Sequence, residues 1–224
     1  MKRTISTFVS AFVLCLAAFG QEVEILPSED ITPAKPPRWG VRLQADITTP
    51  TNGLDLYSTG TGISGGIVYN LPLYRGLYVE PGVMLYYNTI DVDDYMVNNL
   101  PYDGSARLLG IRLPVNIGYR FNLTESISLS LFTGPGFNFN ISARQYANPN
   151  FEGAPPKTSK NLFDYGWHRF DAQWGFGITA TFSGRYVIGL SAGVGSKALA
   201  EKTIDGHKAK MNRNTFSVTL GYNF

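Results

Sequence analysis

The sequence predicts an all-β fold: an eight-stranded antiparallel up-and-down transmembrane β-barrel with short periplasmic turns and long extracellular loops. Three features predict this fold. They are an export signal at the N-terminus, eight stretches of alternating apolar and polar residues, and connections that alternate between long and short. A chain of 224 residues is long enough for one such barrel, and barrels of this length form a single domain.

The first twenty residues have the features of a secretory signal peptide. Two basic residues precede an apolar run from Phe8 to Phe19, and Ala18 and Gly20 stand at the positions that a signal peptidase reads. The run is too short for a transmembrane helix, which needs about 20 apolar residues. We therefore expect an exported protein, a signal peptide over residues 1–20 that is cleaved after Gly20, and an extended periplasmic leader over residues 21–38.

Composition excludes several classes of function. The one cysteine, Cys15, lies inside the predicted signal, so the mature chain has no disulfide, thiolate metal site or cysteine nucleophile. A net charge of +2 and a charged fraction of 16% give no polyanion-binding surface, so nucleic acid is not an expected partner. We expect no cofactor.

The barrel is predicted over residues 39–224 because no later segment is long and apolar enough for a transmembrane helix. An exported chain of this kind enters a membrane only as a closed barrel, in which every backbone polar group is paired. Its strands should turn apolar residues outward and polar residues inward. The eight predicted strands are Trp39–Ile47, Thr61–Tyr69, Leu77–Tyr87, Arg107–Phe121, Ile127–Phe139, His168–Phe182, Arg185–Gly195 and Arg213–Phe224.

The distribution of charge indicates which face meets lipid. A charge that faces lipid near the midplane costs about 2 to 4 kcal/mol, so charged residues should lie on the lumen face. Eight strands enclose an interior just wide enough for side chains, and we expect these charges to pair in a plugged lumen. A narrow pore for small solutes is the alternative, because rings of charged side chains set selectivity in channels. The predicted lumen charges are Arg42, Asp46, Glu80, Arg107, Arg112, Arg120, Arg169, Asp171 and Arg185.

The connections between the predicted strands alternate in length. Short connections suit the periplasmic side and long ones the extracellular side, which leaves both termini in the periplasm. Pro81, Pro114 and Pro135 fall inside strands, where we expect bulges or local bends because proline removes a ladder donor. The long connections are Thr48–Gly60, Asn88–Ala106, Asn140–Trp167 and Ser196–Asn212, and the short ones are Leu71–Gly76, Asn122–Ser126 and Ser183–Gly184.

Several segments, taken in order, resemble a known family. These are the export signal, Arg107–Pro114 leading into Gly118–Phe121, Phe132–Gly136, and Arg169–Asp171 with the residues up to Gly177. Together they resemble the PorT-like, porin-family outer-membrane β-barrels of Bacteroidetes, over nearly the whole of residues 39–224. The resemblance implies an outer-membrane location and a barrel fold. It does not imply any single activity, and it supplies no catalytic residues. The C-terminal residues Phe216, Val218, Leu220, Tyr222 and Phe224 look like the aromatic signal that the outer-membrane assembly machinery recognises.

Candidate catalytic and binding residues are few. His168 could form a hydrolase site with Ser142 and Asp171, although the sequence does not show whether they lie within hydrogen-bond reach. The acidic residues Asp91, Asp93, Asp94 and Asp103 could bind a hard cation, but they lack the spacing of a calcium loop. The aromatic residues of the third long connection suit either partner recognition or a membrane-interface girdle: Tyr146, Phe151, Phe163, Tyr165 and Trp167.

These observations predict a small, non-enzymatic outer-membrane barrel with a plugged polar lumen. Its extracellular loops would serve structural, adhesive or envelope-associated roles, with outer-membrane lipid, lipopolysaccharide and the assembly machinery as expected partners. A porin or transport component for small solutes and an outer-membrane enzyme acting on lipid remain the alternatives.

Overall fold

The computed structural model describes residues 38–51, 57–97, 100–149, 158–204 and 207–224. The predicted signal peptide and the leader, apart from Arg38, lie outside the described residues. No helix in the described ranges is long and apolar enough to cross a membrane.

Eight antiparallel strands form a closed ring, which confirms the predicted fold. Each strand pairs with its neighbours in the chain, and the first ring strand pairs with the last from Gly40 opposite Asn223 to Thr51 opposite Asn212. This last pairing removes the free edges that an open sheet would present. The ring strands are β1 (Arg38–Thr51), β3 (Gly60–Pro72), β4 (Leu77–Val97), β5 (Leu100–Asn122), β6 (Ile127–Pro149), β8 (Phe170–Phe182), β9 (Tyr186–Lys197) and β11 (His207–Asn223).

Short elements lie outside the ring. The short strand β2 (Tyr57–Ser58) pairs with β4, and β7 (Thr158–Asn161) pairs with β6. The short strand β10 (Ala200–Ile204) pairs with the first part of β11. A single-turn 3-10 helix, η1 (Leu162–Tyr165), follows β7 and ends at Gly166 in the left-handed conformation.

The alternation of the sequence is the cause of the ring's two faces. In β1, Leu43 is 59% exposed while the neighbouring Arg42 is 8% exposed, and in β3, Ile63 is 61% exposed while Ser64 is 2% exposed. Successive side chains of a strand point to opposite faces. The outer surface is therefore apolar and the interior polar, which is the arrangement of a membrane barrel and the opposite of a water-soluble one.

Three tight connections define one end of the ring, which we call the short-turn end. They join β3 to β4, β5 to β6 and β8 to β9. In the last of these, Ser183 and Gly184 both have positive φ, and the Arg185 N–H donates to the Phe182 carbonyl. Two positive φ values give the type I′ turn whose twist matches a β-hairpin. Both ends of the ring sequence lie here, because the Phe224 N–H donates to the Trp39 carbonyl.

The opposite end, which we call the long-connection end, contains more strand than predicted. The segment predicted as the loop Asn88–Ala106 is mostly a hairpin, in which β4 runs to Val97 and β5 begins at Leu100. Likewise β6 continues to Pro149, and β11 begins at His207. The sequence prediction ended β4 and β6 too early and began β5 and β11 too late, because the polarity of their alternating residues inverts at this end.

No bulge lies at the three prolines, which corrects that part of the prediction. Pro81 is opposite Val115, Pro114 is opposite Gly136 and Pro135 is opposite Trp174, and the register is the same on both sides of each pair. Local bends at these residues stay a prediction. The ladders shift register elsewhere, between Val92 and Tyr95, between Leu109 and Gly110, and between Ala172 and Gln173.

Candidate functional site

Polar side chains fill the interior from the short-turn end upward. Nearest that end, an Arg42 guanidinium nitrogen lies 3.0 Å from a carboxylate oxygen of Glu80. The same oxygen accepts a hydrogen bond from the Asn70 amide at 3.1 Å, and the Asn70 oxygen accepts one from Arg120 at 3.3 Å. The Arg120 guanidinium also lies over the ring of Tyr78, 5.1 Å from its centroid. These contacts join β1, β3, β4 and β5 across the lumen.

Asp46 of β1 is the centre of a second group. Its carboxylate accepts hydrogen bonds from the hydroxyls of Ser64 at 3.0 Å and Ser217 at 2.5 Å. The Arg112 guanidinium lies 3.8 Å from the same carboxylate. Asp46 is 2% exposed, so the hydroxyls and the guanidinium replace the water that the charge has lost.

Asp171 of β8 is the centre of the third group, farthest from the short-turn end. Both of its oxygens accept from Arg213 at 2.9 Å. One oxygen also accepts from the Asn138 amide at 2.9 Å and the other from the Asn140 amide at 3.0 Å. Asp171 and Arg213 are each 1% exposed, so the ion pair is fully desolvated and depends on these hydrogen bonds.

Tyr86 joins the second and third groups. Its hydroxyl donates to the Asn140 oxygen at 2.6 Å. The guanidinium carbons of Arg213 and Arg112 lie 4.9 and 5.4 Å from its ring centroid. Such cation–π contacts stabilise guanidinium groups that are held away from water. The Arg112 Nε also donates to the Asn138 oxygen at 3.0 Å, which links the Asp46 and Asp171 groups.

A cavity remains in the middle of the lumen. It has a volume of about 100 Å³ and is bordered by Arg42, Glu80, Arg112 and Gln173 together with the apolar Met84. A space of this size is large enough for several water molecules. The cavity therefore lies between the Arg42–Glu80 pair and the Asp171 group.

An apolar cluster, which we call the cap, fills the interior at the long-connection end. The ring strands contribute inward-facing residues to it, such as Ile90 and Leu108, which are each 0% exposed. Leu162 of η1 and Leu199, in the segment before β10, are also buried in it. Among the described residues, its buried members are Tyr86, Ile90, Val92, Ala106, Leu108, Ala143, Leu162, Trp167, Leu199, Ala200 and Met211.

Backbone hydrogen bonds hold the cap in place. The His168 N–H donates to the Leu199 carbonyl at 2.8 Å, and the Leu199 N–H donates to the Met211 carbonyl at 2.8 Å. Trp167 and Ala200 form an isolated antiparallel bridge. The segments on both sides of the cap are thus tied to β11, and the cap is a packed layer of the protein.

The polarity of the two faces inverts at the long-connection end. In β4, Tyr87 faces outward and is 40% exposed, whereas the buried Ile90 and Val92 farther along face inward, and the exposed Asp91 faces outward. In β5, the outward Leu109 is followed toward this end by the outward Arg107, while Leu108 is buried. An apolar interior with polar residues outside is the pattern of a sheet in water. The inversion therefore marks the boundary of the lipid-facing band.

The structure places six of the predicted lumen charges inside the ring: Arg42, Asp46, Glu80, Arg112, Arg120 and Asp171. The other three lie elsewhere, which corrects the prediction. Arg107 is on the outer face because it alternates in phase with the outward Leu109, and at that level the outer face carries the polar residues. Arg169 is exposed before β8, and Arg185 is exposed beside the tight turn of Ser183 and Gly184.

Sequence reasoning missed Arg213, the buried partner of Asp171. The signal was present, because Arg213 has the same parity as the inward Thr215 and Ser217 of β11. It was treated as the boundary of a strand that in fact begins six residues earlier, at His207.

The hydrolase grouping of Ser142, His168 and Asp171 is not assembled. Between Leu109 and Gly110 the β5–β6 register shifts, so Leu109 is opposite Ser142 and Gly110 is opposite Asn140. Opposed residues share a face, and Leu109 faces outward, so Ser142 lies outside the ring while Asp171 lies inside it. The Asp171 oxygens accept from Arg213, Asn138 and Asn140.

Other predicted residues fall on the surface. The C-terminal residues Phe216, Val218 and Leu220 are exposed on the outer face of β11, and Phe224, just after its end, is exposed as well. Tyr222 is half-buried beside Tyr186 with ring centroids 5.5 Å apart. Their recognition by the assembly machinery stays a prediction.

The candidate loop residues have mixed outcomes. Asp91 is exposed, while the side chains of Asp93, Asp94 and Asp103 and all of Phe151 lie outside the described part of the chain. Trp167 is 5% exposed and belongs to the cap, and Tyr165 is 60% exposed. In the residues described, no group of three metal-ligating side chains is close enough to hold an ion.

Solved outer-membrane proteins match the chain at low sequence identity. The attachment invasion locus protein Ail of Yersinia pestis is 16% identical, with 84% of this chain and 99% of Ail covered at a TM-score of 0.40. The outer membrane protein OprG from Pseudomonas aeruginosa is 11% identical, with 87% and 99% covered at a TM-score of 0.46. No curated protein matches the sequence. The family model described as outer membrane protein beta-barrel domain matches residues 38–193, and the chain belongs to this family of outer-membrane barrels.

Proposed function

We propose that this protein is a closed, non-conducting and non-enzymatic outer-membrane barrel that presents its long-connection end to the cell exterior as an interaction surface. The observation that carries the proposal is the pair of layers across the lumen, the Asp171 group and the cap. Side chains from seven of the eight ring strands, including Asp46, Ser64, Tyr86 and Arg213, join in the linked polar groups.

The two layers resist ion passage for different reasons. An ion passing the Asp171 group would have to separate a desolvated ion pair, in which one Arg213 nitrogen contacts both carboxylate oxygens, at a cost of several kcal/mol. Beyond it, the cap lines the lumen with apolar side chains such as Ile90, Leu108 and Leu199, which cannot replace a hydration shell. Either layer alone would raise the barrier, and the two occur in series along the same lumen.

The orientation follows from the family and the connections. In bacterial outer-membrane barrels the short turns face the periplasm and the long connections face outward. The paired β6–β7 and β10–β11 segments at the long-connection end therefore form a fixed external surface, suited to an adhesive or envelope-associated role. The likeness to the PorT-like group, the signal peptide and its cleavage after Gly20 belong to this proposal as well.

The cavity of about 100 Å³ favours one alternative, a narrow path or binding site for small solutes. That role requires the Asp171 group and the cap to open. The lipid-active enzyme alternative has less support, because Ser142 and Asp171 lie on opposite faces of the sheet.

Single-channel recording in planar bilayers tests the proposal. We expect no stable conductance from the refolded protein, whose fold is first verified by a band that shifts on boiling in a detergent gel. The positive control is the variant Arg213→Ala/Trp167→Ala/Leu199→Ala, which removes one charge from the polar layer and two large side chains from the cap. We expect channel openings in this variant. Steady ohmic conductance of the unmodified barrel would overturn the closed-lumen proposal in favour of the pore.

A further inference from the structure

Two arginines stand directly opposite each other on the outer face. Arg107 of β5 is paired with Arg144 of β6 in the ladder. Their neighbours Ala106 and Gln145, which are also paired, face the interior, so both arginines face outward. Directly opposed residues of an antiparallel pair have Cβ atoms about 5 Å apart, and like charges at that spacing destabilise a sheet.

No carboxylate compensates this pair within the described residues. The ion pairs there involve Arg42, Arg112, Lys210 and Arg213. Asp91 lies on the same outer face, diagonal to Arg107, and forms none of them. The contact available to Arg107 is the ring of Tyr146, over which its guanidinium lies at 4.5 Å from the centroid. A ring contact holds a guanidinium in place and leaves its edge donors free for an anion.

The pair lies at the edge of the lipid-facing band. The most exposed apolar side chains of β6 extend from Leu131 to Ile141, which is about 33 Å along a strand at about 3.3 Å per residue. At the usual tilt of about 40° this corresponds to an apolar band of about 25 Å. Arg144 lies three residues beyond Ile141, and Arg107 lies two residues beyond Leu109, so both are at the level of lipid headgroups.

The neighbouring aromatic residues support this level. The Lys197 ammonium lies 4.3 Å from the ring centroid of Phe170, and Phe170 contacts the outward Phe139. Aromatic side chains collect at the membrane interface, and long basic side chains extend from there toward the headgroups.

We propose that Arg107 and Arg144 together form a binding site for the phosphate of a lipid headgroup in the leaflet at the long-connection end. A phosphate between two guanidiniums removes their repulsion and accepts charge-assisted, bidentate hydrogen bonds from both. The inference rests on the membrane-embedded barrel, and it does not depend on whether the lumen conducts.

The test measures lipid binding to the refolded barrel in detergent. Lipid A with its phosphates and the same lipid after enzymatic dephosphorylation are titrated separately, and bound lipid is counted by native mass spectrometry. We expect the phosphorylated lipid to bind at least about tenfold more tightly to the unmodified protein, since two charge-assisted contacts are involved. Equal binding of the two lipids would overturn the proposal.

Variants locate the site. Arg107→Ala/Arg144→Ala should lose the preference for the phosphorylated lipid, and Arg107→Lys/Arg144→Lys should retain part of it because the charge remains and the bidentate geometry is lost. Arg185→Ala, an exposed arginine at the short-turn end, is the matched control and should bind as the unmodified protein does. An unchanged preference in the double alanine variant would contradict the assignment.

Two further arms remove ambiguity. Inorganic phosphate at the concentration of the lipid should leave the lipid bound, whereas displacement by it would identify a site for free phosphate instead. If the double alanine variant gives no heat-modifiable band, the double lysine variant and the comparison of the two lipids decide the question. Conductance of the same samples reports on the closed lumen separately, so the two proposals fail independently.

Discussion

The polar interior and the cap are built by the same strands, yet they follow opposite rules. In β5, Arg112 faces inward among ion pairs, and Leu108, four residues away, faces inward in the cap. In β4, Tyr86 lies at the junction and Ile90 lies in the cap. This difference indicates that the medium around the barrel, lipid or water, determines the polarity of the interior at each level. Where lipid surrounds the strands the inside is polar, and beyond the lipid the inside is apolar.

The two regions also differ in how they are stabilised. The interior depends on desolvated charges that need their ionic partners, so removal of one partner should reduce its stability abruptly. The cap depends on apolar burial, which declines with the area or volume removed. Substitutions of similar size in the two regions should therefore give effects of different magnitude.

The largest effect is expected in the interior. Arg213→Ala leaves the Asp171 carboxylate buried without its charged partner, and we expect the free energy of unfolding to fall by about 3 to 5 kcal/mol. Urea-dependent unfolding in detergent, followed by loss of the heat-modifiable band, measures this change.

A second variant separates the lost charge pair from lost packing. Arg213→Met combined with Asp171→Asn removes both charges and should recover most of the stability, because a buried pair replaced as a whole costs little. A double variant as unstable as Arg213→Ala would show that the ion pair is not what the layer depends on.

A smaller effect is expected in the cap. Leu108→Ala removes a side chain that is 0% exposed, and we expect a loss of about 2 to 3 kcal/mol in the same unfolding experiment. Leu123→Ala is the matched control, because Leu123 lies in the β5–β6 turn and is 48% exposed, so a change within about 0.5 kcal/mol is expected. Equal losses in the two variants would contradict the existence of a packed cap.

The sequence was sufficient for the ring because lipid imposes one rule on every strand within the band. Outward apolar residues such as Leu43 and inward polar residues such as Asp46 alternate with a period of two, and the charged residues take the inward face. The strand positions and six of the lumen charges could therefore be predicted directly from the sequence. The short connection at Ser183 and Gly184 was equally local, since it is marked by a glycine between two alternating stretches.

The cap was not predictable by the same rule, since the rule changes sign at a level the sequence does not mark. Arg107 was assigned to the lumen because it is charged, although its parity with Leu109 places it outside. The segment from Thr89 to Val92 alternates as a strand does, but its inward residues, Ile90 and Val92, are the apolar ones. Leu162 and Leu199 join the cap through contacts distant in sequence, which no local pattern reports.

The inversion of polarity is the central claim, and depth-dependent fluorescence quenching tests it most directly. Residues 21–224 contain no cysteine, so single cysteines at Leu85, Leu109, Thr89, Asp91 and Ile90 can each carry a fluorophore in bilayers containing acyl-chain nitroxide lipids. We expect strong quenching at Leu85 and Leu109, and little at Thr89, Asp91 and the inward Ile90. Quenching at Thr89 and Asp91 equal to that at Leu85 would place the lipid band across the inversion and contradict the account.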